Sequence, residues 1–136
     1  MIEYLRETVR SNDYDIIDSG LCHFVWKVCN CCVFDNIKSS DFIAFMNLHK
    51  EAIVPKIRYQ KQGKMCYVIH ELSMFLSRKS LEEQWVNAML SQLKISRSTY
   101  KHHHYINVEL ANTSKPDKRF AEDIKTAIKK IKEIGL

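Results

Sequence analysis

Three groups of side chains in this chain have the types and spacing that invite chemistry. The first is Cys22, His23, Cys29, Cys31 and Cys32, the second Cys66 with His70, and the third Lys101 followed by His102, His103 and His104. The cysteine cluster does not match a structural zinc site, which needs C-x2-4-C pairs separated by a loop. On a helix Cys29 and Cys32 would share a face with Cys22 two turns earlier, and buried thiols behave as small hydrophobes. Apolar packing is therefore the expectation there. Cys66 and His70 stand four apart, the geometry of a thiol beside a base on one helix face. Glu71 points elsewhere, so nothing supplies an orienting carboxylate. The three consecutive histidines would point in different directions on a helix, which is unsuited to one metal. Contact with phosphate, or a solvated face, is the expectation for them, with a pH-dependent partner contact as a further reading. With no P-loop, GxGxxG or HExxH motif, the chain is expected not to be an enzyme and to carry no cofactor or metal.

The charge points elsewhere. Net charge is +5, and residues 1–93 hold 11 Lys and Arg against 11 Asp and Glu, while residues 94–136 hold 10 against 5. The whole excess lies in the C-terminal third, as a surface for an anionic partner would require. A lysine-rich solvent face on a terminal helix would give the same count.

The excess begins inside the stretch 81–104, LEEQWVNAMLSQLKISRSTYKHHH. Ser80 and Glu83 have the spacing of a capping box. Leu81, Trp85, Ala88, Met89 and Leu93 then form one apolar helical stripe. Ile95 stands alone between Lys94 and Ser96, as the buried residue of a turn does. Ser96 or Ser98 can cap a second helix bearing Arg97 and Lys101. This is the outline of a helix-turn-helix, which lays its second helix in the major groove. Lys94 stands where such turns often have glycine, and Leu90 where the first helix is usually small. An ordinary αα-hairpin with a solvated basic face is the alternative. In the DNA-binding version Arg97, Ser98, Lys101 and His102 face bases or phosphates, and Lys94 and Thr99 hold the backbone near the turn. Lys118 and Arg119 add phosphate contacts. Trp85, Met89, Ile95 and Tyr100 fix the crossing of the two helices.

The elements that would position these residues are mostly helical. Three Gly and two Pro in 136 residues give too little turn punctuation for a sandwich or barrel, and 46% hydrophobic residues mark a globular chain. A compact, mostly α bundle of six to seven helices is expected. It is one domain over 1–136, or two lobes (1–55 and 65–136) divided by the polar loop 56–64. A short helix is predicted over 2–11. A second spans 13–34 with Ile16, Ile17, Leu21, Phe24, Val25, Val28 and Cys32 inward, weakened slightly by Gly20. A third runs from about Asp41 to Ala52 and a fourth over 65–77. The motif helices are predicted over 80–93 and about 97–111. Tyr105 to Ala111 alternates as a strand would, but the longer helix is preferred because a lone strand lacks a partner. The last helix starts at Pro116 or Asp117 and carries Phe120, Ile124, Ala127, Ile128, Ile131 and Ile134 inward. Trp26, Trp85, Phe24, Phe42, Phe45 and Phe75 are expected in the core, and Tyr59 on a loop.

No run of apolar residues is long enough to span a membrane. The charged N-terminus, MIEYLRETVR, does not read as a secretory signal, and five cysteines without one predict reduced thiols in a cytoplasm.

The stretch 93–131, with Leu93 and Ile95, Tyr100 and Tyr105, Lys115 in a polar linker, then Phe120, Ile124, Lys125 and Ile128, resembles the C-terminal region of the RteC family. That family comprises regulators carried by conjugative transposons. The resemblance implies a mobile-genetic-element protein that binds promoter DNA and regulates transcription of transfer genes. The expected partner is double-stranded DNA, with a homodimer as the usual way to match a two-fold site. The alternative is a small phage or mobile-element protein that binds and inhibits a host protein, for which an exposed apolar patch rimmed by charge would speak. A subunit that only oligomerises is the third reading.

Overall fold

A computed structural model describes residues 16–105 and 114–135, with side chains to 131 in the last helix. Among these residues six α-helices succeed one another: α1 Ser19–Cys29, α2 Ser39–Met46, α3 Gln62–Ser73, α4 Glu82–Leu93, α5 Arg97–His103 and α6 Lys115–Gly135. A 3-10 turn at Lys79–Leu81 leads into α4. The described residues contain isolated β-bridges but no strand. The chain is thus a mostly α bundle. The expected helix over 2–11 and the alternation over 106–111 lie outside the described residues.

Two sets of helices meet in one core. α1 packs against α6 and α2, while α3 packs against α5 and α4. Buried residues from both sides of the connection 47–61 join a single apolar cluster. Cross-links reinforce it: the Trp85 indole N–H donates to the Met46 carbonyl (2.8 Å), and the Ser77 N–H to the Ile16 carbonyl (2.8 Å). Tyr67 of α3 meets Phe120 of α6 edge to face at 6.1 Å. Phe42, Phe45 and Trp85 are fully buried, whereas Phe24, Trp26 and Phe75 only line the core.

Several helices are shorter than their apolar pattern. The predicted helix over 13–34 is reduced to Ser19–Cys29. At its start the Asp18 carboxylate accepts the Leu21 N–H, a side-chain cap. Ile16 and Ile17 are buried ahead of that cap, where Ile17 bridges Leu76 and the Asn47 side chain accepts the Ile17 N–H at 3.0 Å. At its end Asn30 is extended and Cys31 left-handed, and the Asn30 side chain bonds Asn36 and Ile37. Cys32, expected inward, is consequently exposed. α2 stops at Met46 rather than Ala52, because Asn47 caps it and Leu48 turns left-handed at φ 56°. α3 begins at Gln62, inside the stretch expected as a loop.

Gly20 does more than weaken α1. A Cβ there would lie 2.8 Å from the Ile131 Cδ1 of α6, so its bareness lets the two helices approach. Of the α6 residues expected inward, Phe120, Ile124, Ala127 and Ile128 are buried and Ile131 lines the core, Ala121 joins them, and the Ile134 side chain lies outside the described residues.

Candidate nucleic-acid interface

The segment of interest is built from α4, a tight turn and α5. The expected apolar stripe of α4 is in place, with Leu81, Trp85, Ala88, Met89 and Leu93 all buried. The capping box is not. Ser80 lies in the 3-10 turn, and α4 starts at Glu82 without a side-chain cap. Burial of Leu81 draws the chain inward one residue later, and the Leu81 N–H bonds the Arg78 carbonyl instead (3.1 Å). Glu82 and Glu83 in the first turn suit the positive end of the helix dipole.

The turn matches the sequence closely. Lys94 is left-handed (φ 58°, ψ 42°). The Ile95 N–H reaches the Leu90 carbonyl (3.0 Å) and the Lys94 N–H the Ser91 carbonyl (3.3 Å), which is a Schellman closure. Leu90 and Ile95 are both buried, giving that motif its apolar contact. Ser96 then caps α5: its hydroxyl oxygen accepts the Thr99 N–H (3.1 Å) and its O–H donates to the Thr99 Oγ1 (2.9 Å).

α5 ends at His103, short of the expected reach to about Asn112. His104 closes it by directing Nδ1 at the Tyr100 and Lys101 carbonyls (3.1 and 3.0 Å). The ring also meets His70 of α3 at 4.7 Å. That contact fastens α5 to α3, and α5 lies chiefly on α3 rather than on α4, while the Tyr100 ring packs against His104 (5.3 Å).

Lys94, Arg97, Ser98, Lys101 and His102 are exposed on the turn and on α5, whereas Thr99 is half-buried in the cap. The Arg97 guanidinium donates to the Asn87 side-chain oxygen of α4 (2.9 Å) and lies 5.9 Å from the Tyr100 ring centre. Burial pushes the Tyr100 hydroxyl up to about 12, against the pull of Arg97, so it remains a neutral anchor. Lys118 is half-buried and Arg119 exposed at the start of α6. It is the residue after them that touches α3. The next residue, Phe120, lies under Lys64 (5.3 Å), and a Cβ on the adjacent Gly63 would be 3.1 Å from the His103 Nδ1.

Asn87 and Lys64 are the neighbours of these residues that the sequence reading missed. Asn87 sits ten residues from Arg97 across a turn, and Lys64 meets Phe120 across 56 residues. No local pattern carries either pairing.

The other candidate groups are placed elsewhere in the fold. The Cys66 thiol is buried and burial pushes it up to about 11, away from the thiolate. Glu71, also buried, accepts the Tyr67 hydroxyl (3.0 Å). Tyr67 is raised by burial first and by Glu71 second. His70 is lowered by burial and then by His104. His102 and His103 diverge, with ring centres 6.4 Å apart. Among the described residues no three His, Cys, Asp or Glu converge as a metal site, and no helix is long and apolar enough to cross a membrane. No protein-family model, curated protein or solved structure matches the chain.

Proposed function

We propose that this chain is a DNA-binding regulator that reads duplex DNA with α5, in the manner of a helix-turn-helix. The observation that carries the reading is the run of Arg97, Ser98, Lys101 and His102, exposed on a short helix. That helix is fixed from behind by a Schellman turn, a Ser96 cap and packing on α3. Three consecutive helices whose third lies on the first are the layout of three-helix helix-turn-helix domains. Lys94, Lys118 and Arg119, with Lys64 and His103, would extend the phosphate-binding surface on either side. Thr99 would act indirectly, by holding the cap. The resemblance of 93–131 to RteC-type regulators adds the mobile-element setting and regulation of transcription, in a reduced cytoplasmic environment. A homodimer would supply the second half-site.

Replacing Arg97 and Lys101 together with Ala tests the assignment. Each lost phosphate contact should flatten the dependence of log affinity on log salt by about 0.9. Unchanged affinity and salt slope in a folded double variant would refute it.

One observation favours a second reading, a module that docks on a host protein. Ile53, Val54 and Tyr59 are 53%, 44% and 87% exposed on the connection 47–61, among Lys50, Glu51, Lys56 and Arg58. Substituting Ile53 and Val54 with Ser should leave DNA binding intact on the first reading.

A further inference from the structure

The turn after α1 holds two thiols in the geometry of a closable pair. Cys29, the last residue of the helix, is fully buried, while Cys31 and Cys32 are exposed. Asn30 (φ −62°, ψ 131°) and Cys31 (φ 65°) have the dihedral signs of a type II β-turn spanning Cys29 to Cys32. The Cys32 N–H closes that turn on the Cys29 carbonyl at 2.9 Å. A β-turn brings its first and fourth Cα atoms within about 7 Å, and disulfides span about 4.4–6.8 Å. The turn is locked from outside: Arg58 donates to the Cys31 carbonyl and to Asp35, and Asn36 accepts from the Asn30 amide. Left-handed backbone is unfavourable for a residue with a Cβ, so this conformation is imposed by its surroundings. Sequence alone offered only a cysteine-rich helix here. The turn makes it a Cys29-x-x-Cys32 unit with one sheltered and one accessible sulfur.

We infer that Cys29 and Cys32 form a thiol–disulfide couple, which a low-molecular-weight disulfide such as oxidised glutathione closes through Cys32. In the first step the Cys32 thiolate attacks one sulfur of the small disulfide. That S–S bond breaks, and the departing small thiolate takes up the proton Cys32 released. In the second step the Cys29 sulfur, after losing its proton, attacks the Cys32 sulfur of the mixed disulfide. The second small thiolate leaves and is protonated. Two protein thiols are thereby oxidised to one disulfide, and one small disulfide is reduced to two thiols. Cys31, although exposed and adjacent, is the spacer whose left-handed backbone sets the turn. Burial, and then the neighbouring Cys32, raises the Cys29 thiol above its ordinary value. The second step is therefore the slow one and quickens as pH rises.

The test incubates the intact protein with oxidised glutathione, blocks remaining thiols by alkylation, and reads mass and linkage by fragmentation of the 28–38 peptide. The expected course is a transient glutathione adduct on Cys32, then a protein lighter by two hydrogens with Cys29 joined to Cys32. Closure should be faster at higher pH. Cys31→Ser should close in the same way, and Cys29→Ala/Cys31→Ser should stop at the Cys32 adduct. A wild-type linkage of Cys31 to Cys32, a stable adduct in Cys31→Ser, or no adduct on Cys32 would overturn the inference. The wild-type linkage decides the matter even if a variant fails to fold.

Discussion

The turn after α1 and the turn after α4 both place a residue with a side chain in left-handed backbone, Cys31 at φ 65° and Lys94 at φ 58°. They are held by different means. Around Lys94 the chain closes on itself, through two backbone hydrogen bonds to α4 and the buried pair Leu90 and Ile95. Around Cys31 the chain also closes, the Cys32 N–H on the Cys29 carbonyl, but the outer support comes from side chains, Asn36 five residues on and Arg58 27 residues away. A turn of the first kind presents the next helix at a fixed angle and leaves its outer face free, as a DNA-reading helix needs. A turn of the second kind sets one sulfur at the surface, Cys32, beside one in the core, Cys29.

The contrast breaks first where the core beneath α4 is removed. Trp85→Ala deletes a fully buried indole and its bond to Met46 and should cost about 3–5 kcal/mol, read by urea unfolding. Ile95→Ala takes away the apolar half of the Lys94 turn and should cost about 2–4 kcal/mol. If it costs no more than a surface change, the turn is not held by its own burial. Lys94→Gly and Cys31→Gly sharpen the comparison. Each removes a Cβ from left-handed backbone and should stabilise by about 1 kcal/mol. Similar gains in the two would show that the strain is set by φ and not by the surroundings of the turn.

The smallest effect is on pH. His70, against His104, is held below its ordinary 6.5 by burial and by that neighbour, while Glu71 and Glu82 pull the other way. The folded state thus prefers the neutral ring. Stability from this contact is full above about pH 6.5, the unfolded value, and declines as pH falls through the lower folded value. His70→Gln should reduce the loss of thermal stability between pH 7 and pH 5. An unchanged pH profile would show that the α3–α5 contact does not feel its charge.

The same division governs how far the sequence could be read. The Lys94 turn, the buried Ile95, the Ser96 cap and the stripe of α4 were all legible, because each is a local pattern within a few residues. The α6 face was legible for the same reason. The ends of α1 and α2 were not, since Asn30 and Asn47 stop their helices through side-chain bonds to Ile37 and Ile17. Ser80 misled because the burial of Leu81 outweighed a correct capping pattern. Within the candidate site the exposed basic residues were legible, but the partners that orient them, Asn87 for Arg97 and α3 for α5, arise only from tertiary packing.

The most direct measurement is fluorescence anisotropy of the full chain with a generic DNA duplex at roughly 50 and 200 mM salt, the range in which phosphate contacts reveal themselves. The account predicts binding at the lower salt that falls steeply at the higher. No binding at the lower salt would contradict a DNA-reading α5 and leave the exposed Ile53, Val54 and Tyr59 connection as the surface to pursue.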